Sequence, residues 1–117
     1  METLLQTNTA KYYETVQIQT ASKQKAVCML HEKCVLFIVA ALDIPKKRPE
    51  YVARSQNILS QLQRSLVCKD MVSQSLFLLY DYCYVILDHA QDDDLNNAGK
   101  IMAILRDTFK YLVRHPQ

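Results

Sequence analysis

The 117-residue chain has one glycine, three prolines and no tryptophan. Strand-rich folds need turn residues at about every tenth position, so this scarcity excludes them and argues for helix. Phosphate-cradling loops need glycines at fixed offsets, and a single glycine cannot supply them. Long hydrophobic runs are missing too: the longest, Cys34 to Leu42, has nine residues, where roughly 20 are needed to cross a bilayer. The N-terminal METLLQTNTAKYYETVQ holds no apolar core of signal-peptide length. Charge of one sign is not in excess, because a formal net charge of +2 provides no dense basic face for nucleic acid. The four cysteines, Cys28, Cys34, Cys68 and Cys83, show no framework spacing. They read as reduced thiols of a cytoplasmic protein.

What is present is helical periodicity in a chain long enough for one domain with a real core. Residues 1–22 form a polar leader carrying Leu4, Leu5, Tyr12, Tyr13, Val16 and Ile18, and Ser22 is the expected N-cap of the first helix. That helix is expected over about 23–42, with Val27, Leu30, Cys34, Phe37, Ile38 and Ala41 as its core stripe. Pro45 and Pro49 bracket the link Lys46-Lys47-Arg48, and Pro49 suits the first turn of a second, polar helix over 49–67. Val52, Ile58, Leu59, Leu62 and Leu66 give that helix one narrow stripe. A third helix spans 70–90 with Asp70 as its cap. A fourth spans 93–113, with Asp92-Asp93-Asp94 against the positive pole of its dipole. Gly99 inside this last helix costs about 1 kcal/mol against alanine, which close approach of a neighbouring helix would explain. Four helices with short links predict an all-α, antiparallel up-down-up-down bundle over 23–114 behind the short leader.

The third helix is the unusual one. Between Asp70 and Asp88 its only charged residue is Asp81, and Gln74, Asp81 and Asp88 stack into one thin polar stripe. Leu76, Leu79, Cys83, Ile86 and Leu87 lie opposite, with Phe77, Tyr80 and Tyr84 on one flank and Leu78 and Tyr82 on the other. A surface helix normally buries a single stripe. This one is therefore either the most interior helix or the floor of a docking groove.

Metal and catalytic chemistry find little footing. A calcium loop at Asp92 would need glycine and glutamate where Asn97 and Ala103 stand. None of the four glutamates begins the Glu-x-x-His pair of a di-iron bundle. Cys28, His31 and Cys34 recur every three residues, but successive 300° steps carry them apart on a straight helix. No metal, no cofactor and no enzymatic activity are expected. One group-transfer alternative stays open: His31-Glu32-Lys33 lies mid-helix in a bundle, as the phosphorylated histidine of a phosphotransfer domain does.

The residues also resemble a family, the flagellin-specific secretion chaperones of the FliS type, over roughly 12–113. Tyr13, Ile18 and Thr20-Ala21-Ser22 match its leader pattern, and Met29-Leu30, Phe37 and Ala41 match its first helix. Leu76, Leu79-Tyr80, Leu87 and Ala90 match its third, where Leu-x-x-Leu-Tyr-x-Tyr is the most specific portion. The chain departs from the pattern at Lys23 (proline), His31 and Lys33 (tyrosine and glycine), Lys69-Asp70 (Gly-Gly) and Phe109 (tryptophan). The resemblance implies a cytoplasmic chaperone that binds the disordered C-terminal segment of flagellin, prevents its premature polymerisation and delivers it to the flagellar export apparatus, with or without a co-chaperone. Such a segment recovers its ordering cost through apolar burial, at roughly 25 cal/mol per Å². A groove is expected with Ile58 and Leu62 on one wall and Leu76, Tyr80 and Tyr84 on the other. Tyr13 and Ile18 of the leader are expected to cover it when the client is absent. A homo-oligomeric structural bundle, with the apolar flank paired to its own copy in a homodimer, is the remaining alternative.

Overall fold

The computed structural model describes residues 4–67 and 70–115, with side chains from Lys23 onward. Helix α1 runs Leu4–Asp43. A 3₁₀ turn, Pro45–Lys47, leads into α2, Arg48–Ser65. Helices α3, Met71–Asp88, and α4, Asp92–Arg114, come next. No strand occurs among the described residues, and no described helix is long and apolar enough to cross a membrane.

The first helix departs most from its expected boundaries, while the other helix ends differ by one or two residues. It begins at Leu4 instead of Lys23 and passes through Ser22 without a cap. No proline or glycine precedes Pro45, and Leu, Gln, Ala and Glu recur through the leader, so nothing there interrupts helical geometry. The side chains of Tyr13 and Ile18 lie outside those described.

The helices form a ring in which α1 packs on α2 and α4, and α3 packs on the same two from the opposite corner. Gln63 and Gln56 of α2 reach Phe77 and Tyr84 of α3, so residue numbers fall on one helix as they rise on the other. His31 and Ile38 of α1 likewise meet Phe109 and Gly99 of α4. This is the expected up-down-up-down bundle. The core is built from Cys34, Ile38 and Ala41 of α1, Leu59 and Leu62 of α2, Tyr80, Cys83 and Leu87 of α3, and Leu95, Ala98 and Met102 of α4. A Cβ on Gly99 would stand 3.3 Å from Ile38 Cγ2, the close approach that its place in a helix implied.

Capping fixes the helix ends. The Asp70 carboxylate accepts from Ser73 N–H at 2.7 Å, an N-cap in the expected place. At the other end of α3, Ala90 has φ 55°, a left-handed conformation that favours glycine. Arg48 closes the same end of the bundle. Its Nε donates to Ala41 O at 3.0 Å, Nη1 to Ala90 O at 3.4 Å, and Nη2 pairs with Asp92 at 2.8 Å. One guanidinium thus joins the ends of α1 and α3 to the start of α4, a three-way fork that a lysine cannot reproduce. Ala90→Gly is expected to raise stability by about 1 kcal/mol, read as a higher urea midpoint at unchanged slope.

Candidate functional site

Helix α3 is not the most interior element. It buries Tyr80, Cys83, Ile86 and Leu87 and leaves Met71 82%, Val72 70%, Leu78 67% and Tyr82 51% exposed. Its surplus of apolar side chains therefore stays at the surface, so the first of the two outcomes its composition permits is not the one observed.

The exposed apolar surface has shape where α3 begins. Met71, Val72, Ser75, Leu76 and Leu79 line an open furrow of about 300 Å³. A second cavity of about 340 Å³ is lined by Lys23, Gln24 and Val27 of α1, Ser65 and Leu66 at the end of α2, Tyr80 of α3 and Phe109 of α4. Both furrows open at the end of the bundle beyond which α1 continues toward Leu4. Their lining is mostly apolar, with polar groups from Lys23, Gln24 and the two serines at the rim. Such a surface suits an apolar segment that presents side chains at helical spacing.

The expected groove between α2 and α3 takes a different form. Ile58 and Leu62 are 5% and 0% exposed and belong to the core, as does Tyr80 at 1%. They pack beneath the α2–α3 seam and do not wall a surface channel. The seam itself is closed from outside: Gln63 Nε2 donates to Phe77 O at 3.2 Å, and Gln56 Nε2 donates to Tyr84 O at 3.2 Å and to Asp88 at 3.3 Å. Tyr84 stays on the outer surface, 38% exposed. Leu76 and Tyr80 reach the two furrows, one each. Ile58, Leu62 and Tyr84 line neither of them. Met71, Val72, Leu79, Leu66, Val27 and Phe109 line the furrows and are not among the expected groove residues. The available signal was Met71-Val72, two large apolar residues directly after a capping aspartate.

Beneath the second cavity lies a polar pair that spans the bundle's diagonal. His31 is fully buried, its Nδ1–H donates to Val27 O at 2.8 Å, and its Nε2 lies 2.8 Å from Tyr80 Oη. Because the Val27 carbonyl can only accept, Nδ1 carries the proton and Tyr80 O–H donates to Nε2. The imidazole also stacks on Phe109 with centroids 4.6 Å apart. Burial lowers the His31 pKa below its ordinary value, with the Val27 hydrogen bond opposing. Burial likewise holds the Tyr80 phenol far above its usual range. Cys34 is pushed up to about 12 by burial and then by its neighbour Cys83. Burial raises Cys83 to about 11. These thiols are inert at neutral pH.

The phosphotransfer alternative fails on this geometry. His31 has no exposed surface, and both ring nitrogens are engaged, so no phosphodonor can reach it. The group has a structural consequence instead. The unfolded chain holds the His31 proton more tightly than the folded one, so stability is complete above pH 6.5 and falls as pH drops below it. The slope is at most about 1.4 kcal/mol per pH unit. Urea midpoints taken at falling pH are expected to show this loss, and His31→Gln is expected to flatten it.

An antiparallel bundle with apolar furrows at one end has the build of a helical protein-binding module. Residues 6–116 match the family model described as flagellar protein FliS, so the chain belongs to the FliS family of flagellar chaperones. No curated protein matches it.

Proposed function

We propose that this protein is a cytoplasmic export chaperone for flagellin. It binds the disordered C-terminal segment of newly made flagellin, keeps that segment from polymerising and passes it to the flagellar export apparatus. It acts by binding and carries out no covalent step. The observation that carries this reading is the pair of apolar furrows at the start of α3, in a chain whose family is one of flagellar chaperones.

The energetics favour short amphipathic turns seated in the furrows. Each large apolar side chain that a client buries returns about 1.5–3 kcal/mol, against an ordering cost of roughly 2–5 kcal/mol or more for the segment. A few anchors in two furrows are enough. Met71 and Val72 are more than two-thirds exposed and have the most area to contribute.

The direct test mixes the full chain with a flagellin C-terminal peptide. A one-to-one complex with a raised melting temperature is expected, since a ligand bound only by the folded state stabilises it. Titration calorimetry that detects no heat across temperatures, with no thermal shift, would overturn the reading. The leader belongs to the same proposal: Tyr13 and Ile18 cover the furrows until the client displaces them. Deleting residues 1–20 should then tighten tail binding, and equal or weaker affinity counts against a cover.

A further inference from the structure

Charge is unevenly distributed along the bundle. His31 touches both Tyr80 of α3 and Phe109 of α4, which marks one level across three helices. The contact of Gln63 with Phe77 carries that level to about residue 60 of α2. From there to the furrow end, the described residues hold Lys23, Lys25, Arg64, Lys110 and Arg114 against one acid, Asp70. The rest of the bundle, Glu32 to Leu59 and Asp81 to Thr108, holds nine acids against seven bases. The single acid at the furrow end is already engaged, since Asp70 accepts from Ser73 N–H. Lys110 pairs with Glu32 at 3.4 Å. Among the described residues Lys23, Lys25, Arg64 and Arg114 have no ion-pair partner, and all four are exposed. The furrow end is thus a patch of one sign on an otherwise balanced surface.

The second cavity shows the same bias at close range. Both of its hydroxyl protons are engaged within the chain: Ser65 Oγ–H donates to Leu62 O at 2.7 Å, and Tyr80 O–H to His31 Nε2 at 2.8 Å. The side-chain donors left at its rim are the Lys23 ammonium and the Gln24 amide. An occupant that lays an apolar side chain against Val27, Leu66 and Phe109 meets a positive charge and donors at the mouth. A carboxylate beside that side chain is matched there, and an ammonium is opposed.

We propose that the segment taken up at this end of the bundle is an acidic amphipathic peptide. A large apolar side chain enters the second cavity, and a carboxylate about one helical turn away meets Lys23 at the rim. Arg64, Lys25 and Arg114 add a field of the same sign around the mouth, which draws the acidic segment in and turns basic ones away. This rests on the client reading and adds to it the chemistry by which a client is chosen.

Three versions of one amphipathic leucine peptide test it, with glutamate, glutamine or lysine between the leucines, each titrated against the full chain. At about 50 mM salt the acidic version is expected to bind about tenfold tighter than the neutral one, and the basic version weaker than either. Raising the salt to about 500 mM should remove most of that difference. Lys23→Glu should cut the acidic preference about threefold, while Lys100→Glu, an equal charge change far from the cavity, leaves it in place. Both positions are exposed, so circular dichroism should show an unchanged fold. Equal binding of the acidic and neutral versions, or an equal loss from the two substitutions, would overturn the proposal. So would capture by anionic lipid vesicles with no capture of the acidic peptide. A flagellin C-terminal peptide is titrated alongside: if the acidic probe is preferred and the flagellin peptide does not bind, the client reading fails and this one stands.

Discussion

Leu62→Ala is expected to cost the fold about 2–5 kcal/mol while leaving the affinity of the remaining folded protein for a flagellin tail unchanged. Leu62 has no exposed surface and sits in the core with Leu59 and Ile58 of its own helix and Tyr80 of α3. Truncation removes its transfer energy and opens a cavity among side chains that cannot collapse to fill it. Urea unfolding measures the first quantity, and calorimetric titration below the unfolding midpoint measures the second. The combination matters because a groove wall behaves in the opposite way, losing affinity and keeping stability. A variant that folds as well as the parent but no longer binds the tail would return Leu62 to the surface role its sequence context suggested.

The double variant Met71→Asp, Val72→Asp is expected to lower tail affinity about 10- to 100-fold, on the order of 1.4–2.8 kcal/mol. Its stability should stay close to that of the parent. Both side chains are largely exposed and line the first furrow, so charging them removes apolar surface that the proposed client contact needs and costs the chain few contacts of its own. The positions are also the first two of α3, after the Asp70 cap. Aspartates there sit against the positive end of the helix dipole, which offsets the lost apolar contacts within the chain. Unchanged affinity in a folded double variant would remove this furrow from the binding surface.

Much of this architecture is legible in the residues. The scarcity of glycine and proline, the three-and-four spacing of apolar positions, the Asp70 cap and the acidic start of α4 all act locally, and local rules read them correctly. Gly99 is legible for a similar reason, since its cost inside a helix demands a neighbour, and Ile38 is that neighbour. The start of α1 is not, because Thr20-Ala21-Ser22 looks like a cap and only the continuing helix shows that it is unused.

The candidate site is less legible. Periodicity put Tyr80 on a flank of α3, but the buried His31 draws its hydroxyl into the core. That partner lies 49 positions away in the chain, beyond the reach of any helical wheel. Gln56 and Gln63 have the character of solvated face residues, yet their amides close the seam where a groove was expected. Two departures from the family pattern, His31 and Phe109, stack on each other. The phenylalanine, smaller than the family's tryptophan, lies on the wall of the second cavity.

The central claim is that the client settles into the apolar end of the bundle where α3 begins. Amide hydrogen exchange of the full chain, with and without a flagellin C-terminal peptide, addresses it most directly. Slowed exchange on peptide addition is predicted across residues 71–80, with smaller effects at 23–27 and 65–66. Protection confined to other parts of the bundle, with 71–80 exchanging at its free rate, would contradict it.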